Sequence, residues 1–247
     1  MTIIPCCCGS THHKKLFTKN GYTIVSCSYC SLVFVNPQPD KETLSSFYHS
    51  TQNYYVENYA RKESSKMRDA RREIRRITRL LGRKSDISLL DIGCSCGFLL
   101  AAAKNRKWEA YGIDRSEKEI EYARKTYQVN ALVADFPHSI SLPPKEFDAI
   151  TMFDVIEHLQ NPLAALQLCY NLLAPGGILI IGTPDFGHSK AQQLGAQWPD
   201  IKPPEHLYYF SRDSLIFLAK HAGLLFVGEF YRVPWRAQMK LAFTKKR

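Results

Sequence analysis

The sequence predicts an α/β fold in which a doubly wound, mostly parallel sheet of seven strands carries a ligand site along one edge. An apolar run at 89–92 passes through a glycine-containing turn into an apolar helix start at 98–103. Three further short strands are predicted at 109–114, 131–134 and 147–153, and each ends in a carboxylate or is directly followed by one. The remaining predicted strands lie at 178–181, 224–230 and 239–243.

The turn after the first strand of this sheet contains Gly93 and Gly97, with Asp91 before it and Ser95 inside it. A side chain at Gly93 would fill the space through which a ligand approaches the backbone, so glycine has a physical reason to be there. Open α/β sheets bind nucleotide-like ligands at such strand–turn–helix junctions. Taken alone, the motif also fits a plain strand-to-helix connection.

Acidic and aromatic residues follow the next strands. Asp114 ends its strand about twenty residues after the glycine turn, which is the position that suits ribose hydroxyls. Asp135 can accept a hydrogen bond from an exocyclic amine, and Phe136 can cover one face of an adenine. Asp154 follows Phe153 at the end of the fourth strand. Because the carboxyl ends of parallel strands meet at one edge of a sheet, these residues predict a nucleoside-binding crevice.

Together these segments resemble the class I S-adenosylmethionine-dependent methyltransferases. The resemblance covers residues 85–247 and includes the segment 153–159 and the turn 173–177; Ser95 stands where the family commonly has glycine. It implies a Rossmann-like methyltransferase fold, S-adenosyl-L-methionine as cofactor and methyl transfer as activity. The implied cofactor-binding residues are Asp91, Gly93, Ser95, Gly97, Asp114, Arg115, Asp135, Phe136, Phe153 and Asp154.

Composition narrows the class of protein further. The 247 residues are 45% hydrophobic, which is ordinary for a globular protein. No apolar run approaches the roughly eighteen residues needed to cross a bilayer. The N-terminus lacks a charged region followed by an apolar one, so we expect no secretory signal and a cytoplasmic location. Eight cysteines in that setting indicate reduced thiols or metal ligands rather than disulfides.

The first thirty residues predict a structural zinc site. Cys27 and Cys30 have the spacing that lets two thiolates bind one tetrahedral ion. The partner pair is Cys8 with either Cys6 or Cys7, and we take Cys6, Cys8, Cys27 and Cys30 as the ligand set. Reduced cysteines in a loop are the alternative. Zinc is favoured because this region has few apolar residues with which to order itself.

The same region predicts a hairpin at 15–25, since Asn20-Gly21 is a strong hairpin turn. A Cys-rich N-terminal lobe followed by the segments 31–39 and 203–211 resembles a methyltransferase subgroup that modifies sugars, glycolipid precursors or other secondary metabolites. The chain is thereby divided into a zinc-ribbon-like lobe at 1–36, a helical cap segment at 37–84, and the methyltransferase domain at 85–247 with a substrate lid at 185–210.

A basic helix is predicted before the sheet. Between Arg61 and Lys84 there are eleven Lys or Arg residues and three acidic ones, a net +8 of the chain's +10. This charge favours a phosphate-bearing partner, such as a nucleotide-linked sugar. An RNA methyltransferase, a solvated helix face and a non-catalytic S-adenosylmethionine-binding protein are the alternatives. The apolar face of the helix is predicted to carry Met67, Ala70, Ile74, Ile77 and Leu81.

Two histidines are the candidate catalytic residues, because both follow the carboxyl ends of predicted strands. His206 is favoured as the proton acceptor or substrate contact, and His158 is the second candidate. The alternatives are that His158 shapes the wall of the cofactor pocket and that His206 anchors a lid. The spacing of Asp154, Glu157 and His158 is similar to a motif of ubiquinone-pathway O-methyltransferases, which implies a magnesium ion near the substrate as a lesser expectation.

Overall fold

A computed structural model describes residues 3–44, 46–47, 61–83, 85–138, 142, 146–232 and 236–245. The chain divides into two compact units that interleave along the sequence. The first comprises Met1–His49, Asp154–Gln167 and Ile181–Phe243, and the second comprises Ser50–Phe153, Leu168–Ile180 and Thr244–Arg247. The boundaries expected at residues 36 and 84 remain predictions.

The strands are β1 (His13–Lys19), β2 (Tyr22–Cys27), β3 (Val33–Val35), β4 (Ser88–Ile92), β5 (Glu109–Asp114), β6 (Asn130–Val133), β7 (Phe147–Phe153), β8 (Leu173–Pro184), β9 (Tyr208–Tyr209), β10 (Leu224–Arg232) and β11 (Gln238–Lys245). The α-helices are α1 (Glu63–Leu81), α2 (Phe98–Lys104), α3 (Glu117–Tyr127), α4 (Pro162–Leu172), α5 (Ser189–Leu194) and α6 (Arg212–His221). Short 3₁₀ turns lie at Ile156–His158 and Gly195–Gln197. None of the helices in the described ranges combines the length and apolar content that a bilayer crossing requires.

The first unit contains a four-stranded sheet with the order β1-β2-β3-β9. Strands β1 and β2 form the predicted hairpin, and its two turn residues have φ angles of 48° at Asn20 and 80° at Gly21. These left-handed angles are the ones that a two-residue hairpin turn requires. The hairpin prediction is confirmed, with strands that extend beyond residues 15–25.

The fourth strand of this sheet was not predicted. Val33 pairs with Tyr209 and Phe34 pairs with Tyr208, so part of the segment expected to be a loop is an antiparallel strand. The preceding residues include helix α5, which was also expected to be loop. Side chains from both parts of the sequence share one buried cluster, made of Ile24, Val33, Val35, Phe186, Ala191, Trp198, Ile201 and Tyr209. The lid function of 185–210 remains a prediction.

The predicted seven-stranded sheet is present, with the order β10-β11-β8-β7-β4-β5-β6. Strand β4 pairs in parallel with β5 on one side and with β7 on the other, and β5 pairs in parallel with β6. Strands β5 and β7 have the predicted bounds, whereas β8 is longer than the predicted 178–181. The α/β prediction with a mostly parallel sheet is confirmed.

Helix α1 is amphipathic, as predicted. Ala70, Ile74 and Ile77 are buried, and the helix ends at Gly82, whose φ of 70° gives the left-handed C-cap that glycine favours. Ahead of it, residues 41–44 are helical, and the Asp40 side chain accepts from the Thr43 N–H at 2.9 Å. The part of the predicted helical segment at 48–60 lies outside the described residues.

Gly97 joins the glycine turn to helix α2 under two constraints. Its φ is +77°, and an added Cβ would lie 2.7 Å from the Ala123 Cβ of α3. A side chain there would therefore be strained in its backbone conformation and would collide with a packed helix. The turn can take this shape only with glycine at its end.

Glu119 is a buried carboxyl group in the first turn of α3, with 6% of its surface exposed. Burial raises its pKa from an ordinary 4.5 to about 7, and the nearby charge of Asp114 acts in the same direction. The folded protein therefore holds a proton on Glu119 at pH values where the unfolded chain has released it.

Replacing Gly97 with Ala is expected to lower the free energy of unfolding by about 2 kcal/mol or more, because strain and overpacking add. The matched control is Gly228→Ala, since a Cβ at Gly228 would meet nothing within 4 Å. Urea unfolding monitored by circular dichroism measures both. Equal stabilities for the two variants would contradict the packing described for Gly97.

Between about pH 4.5 and 7, the free energy of unfolding is expected to fall as pH rises, because only the folded state keeps the Glu119 proton in this window. The neutral variant Glu119→Gln should remove up to about 3 kcal/mol of that fall. Urea unfolding at several pH values measures the slope. The control is the exposed Glu117→Gln, which should keep the wild-type slope; an unchanged slope in Glu119→Gln would refute the burial effect.

Candidate functional site

All of the predicted cofactor-binding residues except Asp154 lie in the second unit, in or after the strands β4 to β7. The Gly93 and Cys94 N–H groups both donate to the carbonyl oxygen of Ile113, at 2.8 Å and 3.0 Å. Gly93 has a φ of 74° and Ser95 a φ of 48°, so the chain turns sharply here. These bonds fix the glycine turn against the end of the neighbouring strand.

Asp114, the residue predicted to bind the ribose, is fixed by two backbone N–H groups. One carboxylate oxygen accepts from the Ser95 N–H and the other from the Ser116 N–H, both at 2.9 Å. Burial raises the pKa of Asp114, whereas these two hydrogen bonds act to lower it. A carboxylate offers about four lone-pair positions, so each oxygen keeps capacity for a further donor. Ribose hydroxyls are donors of the right kind, and the residues therefore fit an adenosyl group.

The other predicted cofactor residues differ in their exposure. Asp91 is buried and accepts a hydrogen bond from the Thr151 hydroxyl at 2.7 Å. This bond joins the side chains of the neighbouring strands β4 and β7 inside the protein. Phe136 is buried, and the preceding Asp135 is exposed. Arg115 is exposed and Phe153 is half-buried. The adenine role of Asp135 and Phe136 stays a prediction.

Asp154 directly follows β7 and is the first residue of the segment Asp154–Gln167, which belongs to the first unit. It is exposed, has a φ of 53°, and its N–H donates to the carbonyl oxygen of Gly182 at 2.8 Å. The next residues form the 3₁₀ turn that carries Glu157 and His158. The left-handed angle at Asp154 therefore turns the chain from the strand into the histidine-bearing segment.

Four cysteines of the first unit form one cluster, and they are the four predicted from the sequence. The Sγ atoms of Cys6, Cys8, Cys27 and Cys30 all lie within 4.8 Å of one another. The Cys6–Cys30 and Cys8–Cys27 Sγ pairs are 3.4 Å and 3.6 Å apart. Four thiolates around a zinc ion at about 2.3 Å would lie about 3.8 Å apart, so this donor set fits zinc.

The backbone around the cysteines forms two tight turns. The Gly9 N–H donates to the Cys6 carbonyl oxygen at 2.7 Å, and the Ser31 N–H donates to the Cys27 carbonyl oxygen at 3.0 Å. The Tyr29 N–H approaches the Cys27 sulfur at 3.4 Å. A hydrogen bond between the Cys6 and Cys30 thiols lowers the pKa of Cys30 to about 5 and raises the pKa of Cys6. Cys7 lies outside the cluster, which favours Cys6 in the open choice between them.

The two candidate catalytic histidines lie together in the first unit. Their ring centroids are 4.7 Å apart at an interplanar angle of 84°. The His158 Nδ1 lies 2.8 Å from the Glu205 carbonyl oxygen, and the His206 Nδ1 lies 2.9 Å from the Asp200 carbonyl oxygen. Burial lowers the pKa of His206 to about 2, so this ring is neutral at physiological pH.

Backbone and side-chain bonds bring the two histidine-bearing segments together. The Leu207 N–H donates to the Glu157 carbonyl oxygen at 2.8 Å. The Tyr208 hydroxyl donates to the Gln160 carbonyl oxygen at 3.1 Å. Strand β9 therefore holds the segment after His206 against the turn after His158, although the sequence places them far apart.

Next to this histidine pair, sequence reasoning named Glu157 as a candidate metal-associated carboxylate but missed its partner Thr183. Glu157 is 1% exposed and accepts from the Thr183 hydroxyl at 3.0 Å, and burial raises its pKa. Thr183 received no role from the sequence, although it follows a long apolar run whose end should lie near the other strand ends. One ligand atom each from Glu157, His158 and His206 lies within 4.8 Å of the others. The magnesium site expected from the sequence would contain Asp154, Glu157 and His158. The group that the structure brings together contains His206 instead of Asp154.

Known proteins resemble this chain over most of its length. Residues 59–227 match a family model described as a methyltransferase domain. A ubiquinone biosynthesis O-methyltransferase of Cereibacter sphaeroides is 29% identical over 148 residues, covering 56% of this chain and 60% of the relative. The enzyme of that name from Xanthomonas campestris is 32% identical over 173 residues, with 62% and 70% covered. The chain thus spans about 60% of the length of the Cereibacter relatives it matches.

Solved structures share the fold at lower sequence identity. A S-adenosylmethionine-dependent methyltransferase of Thermotoga maritima, described as a possible histamine N-methyltransferase, gives a TM-score of 0.60 at 23% identity, over 80% of this chain and 99% of that one. Magnesium protoporphyrin IX methyltransferase of Synechocystis, with bound SAH, gives 0.61 at 16% identity, over 84% and 100%. The family match covers more than half of the sequence, and the chain belongs to the methyltransferase-domain family.

Proposed function

We propose that this protein transfers the methyl group of S-adenosyl-L-methionine to a small-molecule acceptor. The observation that supports this best is the Asp114 carboxylate, which is anchored by two backbone N–H groups and still has acceptor capacity for a ribose. It lies at the strand end where open α/β sheets bind nucleosides. The family match and the named activities of the relatives agree with this chemistry.

The cofactor supplies an electrophilic methyl group on its sulfonium, and the residues of this chain bind and orient it. Asp114 holds the ribose, while Asp135 accepts from the adenine amine and Phe136 packs on the adenine ring. Gly93 keeps the backbone of the turn open to the ligand. Placing donor and acceptor in line can contribute about 7–11 kcal/mol of the barrier reduction. Catalysis of this kind depends mainly on positioning.

When the acceptor is methylated it loses a proton, and a second group must take up that proton. His158 and His206 are the candidates for this group. His206 is 3% exposed, whereas His158 is half-buried. A proton acceptor must touch the reacting group, so His158 is the better placed ring and His206 supports it from within. A positioned base of this kind contributes about 10²–10⁴-fold in rate.

The acceptor class is proposed from chemistry and from relatives. The relatives are named as O-methyltransferases, which supports a hydroxyl oxygen as the acceptor atom. The N-terminal Cys cluster supports the predicted subgroup that modifies sugars and secondary metabolites. A non-catalytic S-adenosylmethionine-binding protein is the alternative, and formation of the demethylated product in the presence of an acceptor would exclude it.

The basic face of helix α1 favours a phosphate on the acceptor. The exposed arginines of this helix lie opposite its buried apolar face, and they are Arg68, Arg71, Arg72, Arg75 and Arg79. Arg72 contacts Asp69 at 3.1 Å, one helical turn away. A nucleotide-linked sugar needs only a few such cations. RNA stays the second candidate, and transfer RNA binding with a steep salt dependence would favour it.

We also propose that Cys6, Cys8, Cys27 and Cys30 bind one structural zinc ion. The support is the spacing of the four sulfurs, which is close to that of a tetrahedral thiolate site. Zinc would stabilise the two turns at 6–9 and 27–31 relative to the unfolded chain.

Replacing Asp114 with Asn is expected to weaken S-adenosylmethionine binding at least about tenfold, because a charged acceptor is lost and the Ser95 turn is loosened. Calorimetric titration with the methyl donor and with its demethylated product measures the affinity. The control is Glu117→Gln, an exposed carboxylate three residues later. Equal affinity in the wild type and in Asp114→Asn would contradict the proposed cofactor site.

Elemental analysis of the purified chain is expected to find about one zinc ion per molecule, bound by the four clustered cysteines. Cys6→Ser should lose this zinc and lower the thermal midpoint, since the metal contributes to folding. The neighbouring Cys7→Ser should keep it, because Cys7 is not part of the cluster. Zinc loss in Cys7→Ser, or zinc retained in Cys6→Ser, would refute the ligand set.

A further inference from the structure

Glu119 is a buried acid of the second unit that the proposed chemistry leaves without a role. It lies in the first turn of α3 with 6% of its surface exposed, and its backbone N–H donates to the Ser116 hydroxyl at 3.4 Å. Among the residues that the structure describes, its carboxyl group forms no salt bridge. A buried carboxylate without an ion pair is costly, so its charge responds to what binds beside it.

The Glu119 carboxyl group adjoins the proposed ribose site. Burial raises the pKa of Glu119 to about 7, the charge of Asp114 acts in the same direction, and the Ser95 side chain acts in the opposite one. Both neighbours belong to the site, because the Ser95 N–H donates to the Asp114 carboxylate at 2.9 Å. Asp114 and Ser95 are partly exposed, whereas Glu119 is buried. Glu119 is therefore the inner member of this group.

The Ser95 hydroxyl also lacks a partner at this place. Its oxygen is buried and has no hydrogen-bond partner among the described residues. It lies near enough to the Glu119 carboxyl group to affect its pKa, yet the two groups are not directly bonded. A buried hydroxyl of this kind is costly, and native proteins satisfy most such groups. Two polar groups beside Asp114 thus keep hydrogen-bonding capacity, as expected of a site that a ligand completes.

The methyl donor brings a positive charge to this place, and its demethylated product does not. The sulfonium sulfur is attached to the 5′ carbon of the ribose, only a few covalent bonds from the 3′-hydroxyl oxygen. A ribose held by Asp114 therefore brings the sulfonium near the Glu119 carboxyl group. S-adenosylhomocysteine has the same ribose and adenine but a neutral thioether sulfur. The two ligands share their contacts to Asp114 and differ in their attraction to an ionised Glu119.

We propose that Glu119 discriminates the methyl donor from the demethylated product, because its ionised carboxylate attracts the sulfonium and its neutral form does not. This inference rests on the proposed function, since it requires the adenosyl group at Asp114. Glu119 carries its proton below about pH 7 and is charged above it. Sulfonium binding favours the charged form, so donor binding releases part of a proton. Preference for the donor over the product therefore rises with pH, and product inhibition weakens.

The other ionisable groups around Glu119 keep their charge in this pH window or act alike on both ligands. Arg115 stays protonated. Burial raises the pKa of the Cys96 thiol to about 12 and also raises that of Cys94, so both thiols remain neutral. Burial raises the pKa of Asp114, whereas its bonds to two backbone N–H groups lower it. Asp114 contacts the ribose of either ligand, so its contribution largely cancels when the two affinities are compared.

The test measures the affinity of the full chain for S-adenosylmethionine and for S-adenosylhomocysteine by calorimetry at about pH 6 and about pH 8. In the wild type, the preference for the donor is expected to increase about fivefold between these pH values, through the attraction of two nearby unit charges. Glu119→Gln keeps the size of the side chain but cannot ionise, and it should lose that increase. Titrations near pH 7 in buffers of different ionisation enthalpy should show about 0.3 more proton released by the wild type than by Glu119→Gln on binding the donor.

The matched control is Glu117→Gln, an exposed carboxylate in the same turn of α3, which should keep the wild-type pH dependence. Circular dichroism verifies the fold of both variants, and the wild-type pH dependence decides the question without either. A preference that does not change with pH in the wild type, or that changes equally in Glu119→Gln, would overturn the inference while both ligands still bind. A wild type that binds neither ligand would instead refute the proposed function, and this inference with it.

Discussion

The proposed cofactor site depends on one carboxylate that binds two backbone N–H groups. Asp114 ends β5 and holds the Ser95 N–H of the glycine turn with one oxygen and the Ser116 N–H before α3 with the other. The turn that follows β4 and the helix that follows β5 are thereby fixed to a single side chain. Glycine at position 97 is required by the same arrangement, since α3 packs against it. One residue therefore holds the glycine turn and the start of α3 and is also the proposed ribose acceptor.

In the first unit, backbone carbonyl groups orient the two candidate catalytic histidines. The Asp200 and Glu205 carbonyl oxygens orient the His206 and His158 rings, while strand β9 ties the segment after His206 to the four-stranded sheet. The two candidate catalytic rings are thus oriented by peptide carbonyl groups rather than by other side chains.

Local patterns predicted the strands of the seven-stranded sheet because each strand has its own apolar run and its own turn. The Asn20-Gly21 hairpin was predictable for the same reason, since the turn chemistry lies within two residues. Strand β9 was not predictable, because two residues become a strand only through pairing with Val33 and Phe34. The grouping of Glu157 with His206 is also a tertiary result. The four-cysteine cluster was predictable in part. The spacing of the cysteines indicated two pairs, but only the structure favours Cys6 over Cys7 as the partner of Cys8.

The central claim is that the strand ends around Asp114 bind the adenosyl group of the methyl donor. A crystal structure of the protein with the demethylated product S-adenosylhomocysteine tests it most directly. The account predicts both ribose hydroxyls within about 3 Å of the Asp114 carboxylate, the adenine stacked on Phe136, and its amine near Asp135. A nucleoside bound elsewhere on the chain, or an Asp114 carboxylate that contacts only Ser95 and Ser116 in the presence of saturating ligand, would contradict it.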